Sequence, residues 1–286
     1  MTPMVRPGPA AGPQPERPTG AHEGQRPAGA QAGERPAGAR AGERPAGAHE
    51  GQRPAFAPYR YGTDPLPGPR TAGAAHVWLV DVSAHAGAAA GESRLLDAGE
   101  RERAGAFVRP ADRDRYQVAH VALRRLLGGY LGRGPAEVEF LREPCPGCGK
   151  PHGRPALPGE PMHFSLSHSG DLVGIAVADT PVGIDVEELP GLHTVAEVAS
   201  VLHADERAEI EARPEAQRPA VFARCWTRKE AYLKGTGIGL AEDLSVTLVG
   251  AGPEPVDPPG WVLGDVLLPR DLGTYAAACA VRRAAG

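Results

Sequence analysis

The stretch His163-Phe-Ser-Leu-Ser-His-Ser-Gly-Asp-Leu-Val-Gly-Ile-Ala-Val-Ala-Asp-Thr-Pro-Val-Gly-Ile-Asp-Val-Glu187 carries three strand signals in 25 residues. Phe164–Ser169 and Leu172–Ala178 are apolar and β-branched runs parted by Gly170-Asp171, a turn signal, and so predict a hairpin. Pro181–Glu187 predicts a third strand. Residues two apart on a strand share a face, so Asp185 and Glu187 project together while Val186 turns into the core. Two carboxylates so placed repel each other unless a cation lies between them, and hard oxygen ligands suit Mg²⁺. The plainer alternative is a pair of solvated acids on an exposed strand face, which the flanking Val182, Ile184 and Val186 disfavour.

Strand and helix signals extend in both directions. Upstream, His76–Val82 predicts a strand, residues 93–107 a charged amphipathic helix, and 112–131 a helix. In the last, Tyr116, Ala119, Leu123, Leu126, Leu127 and Tyr130 recur at spacings of three and four. Gly132 and Gly134-Pro135 stop it. Val138–Leu141 predicts a short strand and Pro144–Pro161 a loop. Downstream, 194–212 and 215–234 predict helices, and Leu244–Val249, Trp261–Leu268 and Tyr275–Val281 closing strands. Helices and strands thus occur in both halves, and periodicity leaves α+β and α/β both open.

The chain has 286 residues with 38 Gly and 31 Pro, and 12 of the Gly and 14 of the Pro fall within residues 1–70. There a nine-residue unit restarts at Arg17, Arg26, Arg35, Arg44 and Arg53. Glycine does not recur every third residue, which excludes collagen, and the unit has no apolar face to stack as a solenoid. A disordered extension over residues 1–70 is expected. No apolar run approaches the length of about 20 residues that spans a bilayer, and no apolar signal region precedes the body. A net charge of −4 argues against a general nucleic-acid binder, which needs a basic field. Four cysteines are too few for a disulfide scaffold and point to a reducing cytoplasm.

Three further motifs invite chemistry. In Trp226-Thr-Arg-Lys-Glu-Ala-Tyr-Leu-Lys234, Glu230 and Lys234 share a helix face; an ordinary surface pair is the alternative. The following Gly235-Thr-Gly-Ile-Gly239 comes after a helix rather than between strand and helix, so it is no dinucleotide fingerprint. Ser165-Leu-Ser-His-Ser169 lacks the serine-hydrolase elbow, whereas a histidine with flanking hydroxyls suits phosphate oxygens. Cys145, Cys148 and His152 form a metal knuckle without a local fourth ligand, and zinc stays open there.

In combination and order, His163–Gly170, Gly183–Glu187 and Trp226–Lys234 closely resemble the Sfp-type 4′-phosphopantetheinyl transferases over residues 75–283. The resemblance implies an α+β fold of two similar halves, 71–178 and 179–286, related by a pseudo-twofold, each with a small sheet and a long helix. It implies transfer of phosphopantetheine from coenzyme A to a serine of acyl, peptidyl or aryl carrier protein domains, in the cytoplasm, by a monomer without nucleic-acid or membrane partners. Asp185, Glu187 and Glu230 match the family's Mg²⁺ carboxylates. His168, with Ser167 beside it, and Lys234 match its diphosphate contacts. Arg154 and Pro155 match a segment lining the nucleotide site, and Arg103 and Arg115 the surroundings of the adenosine 3′-phosphate. Glu206 matches a proposed general base. One departure is Glu100, which stands where a basic residue is often found.

Overall fold

The computed structural model describes residues 56–68, 74–147, 149–151, 153–159, 162–239 and 243–284. Strand β1 (Pro58–Arg60) is followed by β2 (Ala75–Asp81). Helices α1 (Val82–Gly91), α2 (Ala98–Ala106) and α3 (Pro110–Leu131) come next. Short strands β3 (Leu141–Arg142) and β4 (Pro155–Ala156) precede the hairpin β5 (His163–Ser169) and β6 (Leu172–Ala178). Gly170 turns that hairpin with φ +51, a conformation open to glycine at little cost. The second half runs β7 (Val182–Glu188), α4 (Leu192–Val198), α5 (Ala204–Glu211), α6 (Arg218–Thr236), β8 (Trp261–Asp265) and β9 (Tyr275–Arg282).

The strand order is β1-β2-β6-β5 in one sheet and β7-β9-β8 in the other, with β3 and β4 a separate pair. Alternation along the strands sorts the apolar residues into layers. Trp78, Val80, Val173, Ile175 and Val177 face α3, where they meet Val118, Ala122, Leu126 and Leu127. Their neighbours Val77, Leu79, Leu172, Ala176 and Ala178 face the other sheet and pack on Val182, Ile184, Val186, Ala277, Cys279 and Val281. The far side of that sheet, through Ala278 and Ala280, packs with Phe222, Cys225 and Ala231 of α6. Helices therefore flank two sheets that share a central apolar layer. The class is α+β.

Several elements differ from expectation, each for a local reason. α1 is Ala-rich with no apolar stripe to betray it; good helix propensity and the Asp81 cap, whose side chain accepts from Ala84 N, start it. The helix expected over 93–107 begins only at Ala98. Asp97 accepts from Glu100 N while the Glu100 carboxylate reaches back to Asp97 N, a capping box that starts a new helix. The same device at His203 and Glu206 splits the helix expected over 194–212 into α4 and α5. Leu244–Val249 forms no strand. Its Leu244 and Thr247 carbonyls accept from Lys229 Nζ, and Val249 N donates to Glu206, so buried side chains take the groups a ladder would use. Likewise Val138 O accepts from Arg124, and the short strand lies later, at Leu141.

The expected boundary at residue 70 also moves. Phe56 is buried in the layer between the sheets and bridges Val266, while Leu267 N donates to Phe56 O. Two residues on, β1 pairs in parallel with β2. Residues 56–60 therefore strap both sheets together, contrary to a tail running to residue 70. Phe56→Ala should cost about 3–5 kcal/mol, as for other buried phenylalanines. A chain cut to begin at Thr71 should likewise melt well below one that begins just before Phe56. Equal denaturation midpoints for the two truncated chains would count against the strap.

Candidate active site

Helix α6 lies directly on strand β7. A Cβ at Gly183 would overlap Ala231 O and sit 2.5 Å from Gly235 N, so only glycine permits this approach. Gly235 is held in turn, since a Cβ there would stand 2.6 Å from the Trp261 ring. The motif Trp226–Lys234 then divides between two directions. Arg228 and Lys229 point into the interior: Arg228 binds Asp265 and the carbonyls of Gly250, Gly252 and Pro253. Lys229 pairs with Glu206 at 2.8 Å. Glu230 and Lys234 point instead toward Asp185 and Glu187.

Strand β5 meets β7 through side chains. Ser165 Oγ accepts from Ile184 N at 3.1 Å, Ser167 Oγ donates to Asp185 Oδ1 at 2.7 Å, and Ser169 Oγ donates to Glu187 Oε2 at 2.9 Å. Ser169 Oγ also accepts from Glu188 N. The three alternate serines of the Ser-Leu-Ser-His-Ser motif thus form one row, facing the carboxylate strand. Period-two spacing was the sequence signal for this row, and Ser165 and Ser169 belong to it as fully as Ser167.

Charge at this point is concentrated and incompletely met. Lys234 Nζ donates to Asp185 Oδ1 at 2.5 Å and to Ser167 Oγ at 2.8 Å. Asp185 Oδ2 and Glu230 Oε1 are buried without a hydrogen-bond partner. Burial, and then the negative charge of Asp185, pushes the Glu187 and Glu230 carboxyls above the usual range. Burial also raises Asp185, against the pull of Lys234. Unpartnered buried carboxylate oxygens that repel one another are the donor set a hard divalent cation takes. Among the described residues no three such side chains stand as a ready cage; Lys234 occupies Asp185 in this arrangement.

Lys234 and Ser165 also line a cleft of about 890 Å³ between the helical wall of α2 and α3 and the end of α6, while Asp185, Glu187 and Glu230 lie behind that lining. Arg103, Tyr116, His120, Arg154, Pro155 and Lys234 are among its lining residues. Arg154 Nε donates to Glu143 and its Nη1 to Gly235 O, which ties the β4 strand to the end of α6. His168 lies at the surface on β5; surrounding protein, then Arg115 and Lys234, hold its imidazole below the usual range. The cleft lining does not include Arg115, whose Nε donates to Gly170 O and whose Nη1 pairs with Asp112. Glu206 does not reach the cluster: it is 0% exposed and accepts from Lys229, His203 N and Val249 N. Of the cysteine knuckle, Cys148 and His152 lie outside the described residues, and Cys145 is buried.

The chain has relatives among known proteins. Residues 181–256 match the model of the 4′-phosphopantetheinyl transferase superfamily. The chain is 33% identical over 210 residues to the 4′-phosphopantetheinyl transferase HetI of Nostoc sp., covering 72% of this chain and 87% of that protein. It is 29% identical over 155 residues to the 4′-phosphopantetheinyl transferase Sfp of Bacillus subtilis, covering 52% and 68%. With the 4′-phosphopantetheinyl transferase psf-1 of Bacillus pumilus it shares 37% over 145 residues, covering 49% and 60%. The chain belongs to the 4′-phosphopantetheinyl transferase superfamily and is of its Sfp-like type.

Two substitutions test the electrostatics. Because the folded Glu230 carboxyl titrates above its unfolded value, its ionisation disfavours the fold, and stability falls as pH rises through that window. Glu230→Gln removes this loss, so the metal-free variant should melt above wild type at pH 8. The difference should vanish near pH 4, where both are neutral; a lower midpoint at pH 8 would contradict the repulsion. Glu206→Gln should do the reverse. It strands Lys229 in the core and should cost roughly 3–5 kcal/mol in chemical denaturation, whereas wild-type stability with lost turnover would return Glu206 to a catalytic role.

Proposed function

We propose that the protein transfers the 4′-phosphopantetheine arm of coenzyme A to a serine hydroxyl of acyl, peptidyl or aryl carrier protein domains, releasing adenosine 3′,5′-bisphosphate. The observation that carries this reading is the meeting of Asp185, Glu187, Glu230 and Lys234 beside the cleft, with two carboxylate oxygens unpartnered. Asp185, Glu187 and Glu230 would hold Mg²⁺, which when bound would supply positive charge to the diphosphate being cleaved and so to the bisphosphate that leaves. The serine row fixes two of these carboxylates in orientation before any ligand arrives. Lys234, which neutralises Asp185 here, offers charged donors to nonbridging phosphate oxygens. His168, with its depressed imidazole, is neutral at pH 7 and offers one N–H to the same group.

In this reading the adenosine end of coenzyme A lies toward α2 and α3, with Arg103 near the 3′-phosphate and Arg154 and Pro155 along the wall. Arg115 serves the β5–β6 turn, and the serine proton leaves to a group other than Glu206. The equal strand orders β2-β6-β5 and β7-β9-β8 support two halves related by a pseudo-twofold, meeting near residue 179, with residues 56–68 joined to the first. A cleft completed within one chain supports a monomer. No helix among the described residues is long and apolar enough to cross a membrane. We assign the enzyme to the cytoplasm, with carrier domains rather than nucleic acid or membrane as partners.

Intact mass of apo-carriers incubated with the protein, coenzyme A and Mg²⁺ should show gain of one phosphopantetheine. Holo-carriers that lose it instead would indicate a hydrolase. Lys234→Ala should lower turnover with coenzyme A and with 3′-dephospho-coenzyme A alike, by about 10- to 150-fold for a charged hydrogen bond. Arg103→Ala should raise KM for coenzyme A alone, because the 3′-phosphate is remote from the bond that breaks. Equal impairment on both donors would remove Arg103 from the 3′-phosphate.

A further inference from the structure

The serines of the Ser-Leu-Ser-His-Ser strand are held by hydrogen bonds to β7, but His168 is exposed. Alternation puts it on the face opposite the serines, two residues beyond Leu166, which lines the cleft. An exposed imidazole has little packing to orient it, so the backbone that bears it must set its direction. That backbone is the end of a hairpin. His168 stands opposite Val173 and Ser169 opposite Leu172, with only Gly170 and Asp171 beyond them. β5 is also the edge of its sheet, and such ends open easily unless something else holds the turn.

Three elements hold this one. Arg115 of α3 donates from Nε to Gly170 O at 2.6 Å, and Asp112, one turn earlier, pairs with Arg115 Nη1 at 3.1 Å. The Tyr275 hydroxyl of β9 accepts from Asp171 N at 3.1 Å and donates to Glu188 Oε1 at 3.3 Å. Val82 N, at the start of α1, donates to Asp171 O at 2.9 Å. The peptide that joins Gly170 to Asp171 is therefore gripped at its oxygen from α3 and at its nitrogen from β9. Space there is tight: a Cβ at Gly170 would stand 2.5 Å from both Glu188 Oε1 and the Tyr275 hydroxyl. The Arg115 bond is the shortest of the three and the one with a charged donor, a kind roughly twice as strong as neutral bonds. Arg115 is also the charged group that acts most on the His168 imidazole. It lies outside the cleft lining.

We propose that Arg115 is a positioning residue: steadied by Asp112, it holds the β5–β6 turn so that His168 is presented to the phosphates of the donor. This rests on the transferase reading above. It gives a role in turnover to an arginine that does not itself touch the donor, and leaves the 3′-phosphate to other groups.

The test is steady-state kinetics with coenzyme A and with 3′-dephospho-coenzyme A at saturating carrier and Mg²⁺, together with amide hydrogen exchange over residues 168–172. Arg115→Ala should lower kcat about ten-fold on both donors, leave the ratio of their KM values as in wild type, and quicken exchange in the turn. Arg115→Lys, which keeps a charged donor, should restore most of the turnover. In a His168→Ala background Arg115→Ala should cost nothing further, because it acts through that histidine. Tyr275→Phe removes a single hydroxyl and guards against a folding defect. It should lower kcat roughly two- to ten-fold on both donors, again only while His168 is present. A KM raised for coenzyme A alone in Arg115→Ala would place Arg115 at the 3′-phosphate and overturn the inference. Losses that multiply in the double variant, or exchange that stays at the wild-type rate, would overturn it too. Wild type that modifies no carrier would overturn the transferase reading itself, and this inference with it.

Discussion

The approach of α6 to β7 at Gly183 is the contact on which the site depends. Backbone meets backbone there, with no side chain between them. A helix held at the ordinary distance from a strand would carry Glu230 and Lys234 away from Asp185. Close contact instead brings carboxylates from a strand and from a helix into one electrostatic neighbourhood, where Asp185 and Glu187 on the strand help burial to raise Glu230 on the helix. Gly235 and Trp261 secure the end of the helix, and Arg154 ties its last turn to the opposite wall. The spacing of the cleft is therefore a consequence of two glycines.

Charge is managed by separating two kinds of ionic group. Glu206 with Lys229 is a buried pair, and buried Arg228 is met by a partly exposed Asp265 and by backbone carbonyls. Such groups contribute conformational definition at little net gain in stability. Beside the cleft the balance is left open: Asp185 and Glu230 each keep an unpartnered oxygen. The same nine-residue motif supplies both kinds, because adjacent helical positions point in different directions. Lys229 belongs to the core and Lys234 to the cleft.

That division explains which parts were readable from the amino-acid order. Strands β5 to β7 and the long helices announced themselves through period and turn chemistry; spacing put Asp185 with Glu187 on one strand face and Glu230 with Lys234 on one helix face, while the meeting of the two pairs came from tertiary packing that only the family resemblance implied. Glu206 was misplaced because a capping glutamate and a cleft glutamate look alike in one dimension; only the tertiary partner Lys229 distinguishes them. Arg115 donates to the Gly170 carbonyl and pairs with Asp112, partners that the helical pattern does not reveal. Phe56 was missed because it adjoins the repeat, where composition spoke louder than a single aromatic residue. Strand Leu244–Val249 failed because its backbone partners are side chains of α5 and α6.

The register of β7 has a consequence for the order in which the protein can become itself. Asp185 pairs across the ladder with Ala278 and Glu187 with Ala276. On a chain made from the N-terminus, β7 emerges long before β9, and its ladder neighbour does not yet exist. The hairpin β5–β6, by contrast, closes on local residues, and β2 gains its neighbour β6 at the same moment. A ribosome passing residue 240 thus carries a first half with all its strands beside an apolar, acid-bearing strand still waiting for company. Non-local pairing of this kind is slow and leaves an edge open to other chains. The strand that gathers the carboxylates is one the nascent chain must shelter until β9 arrives.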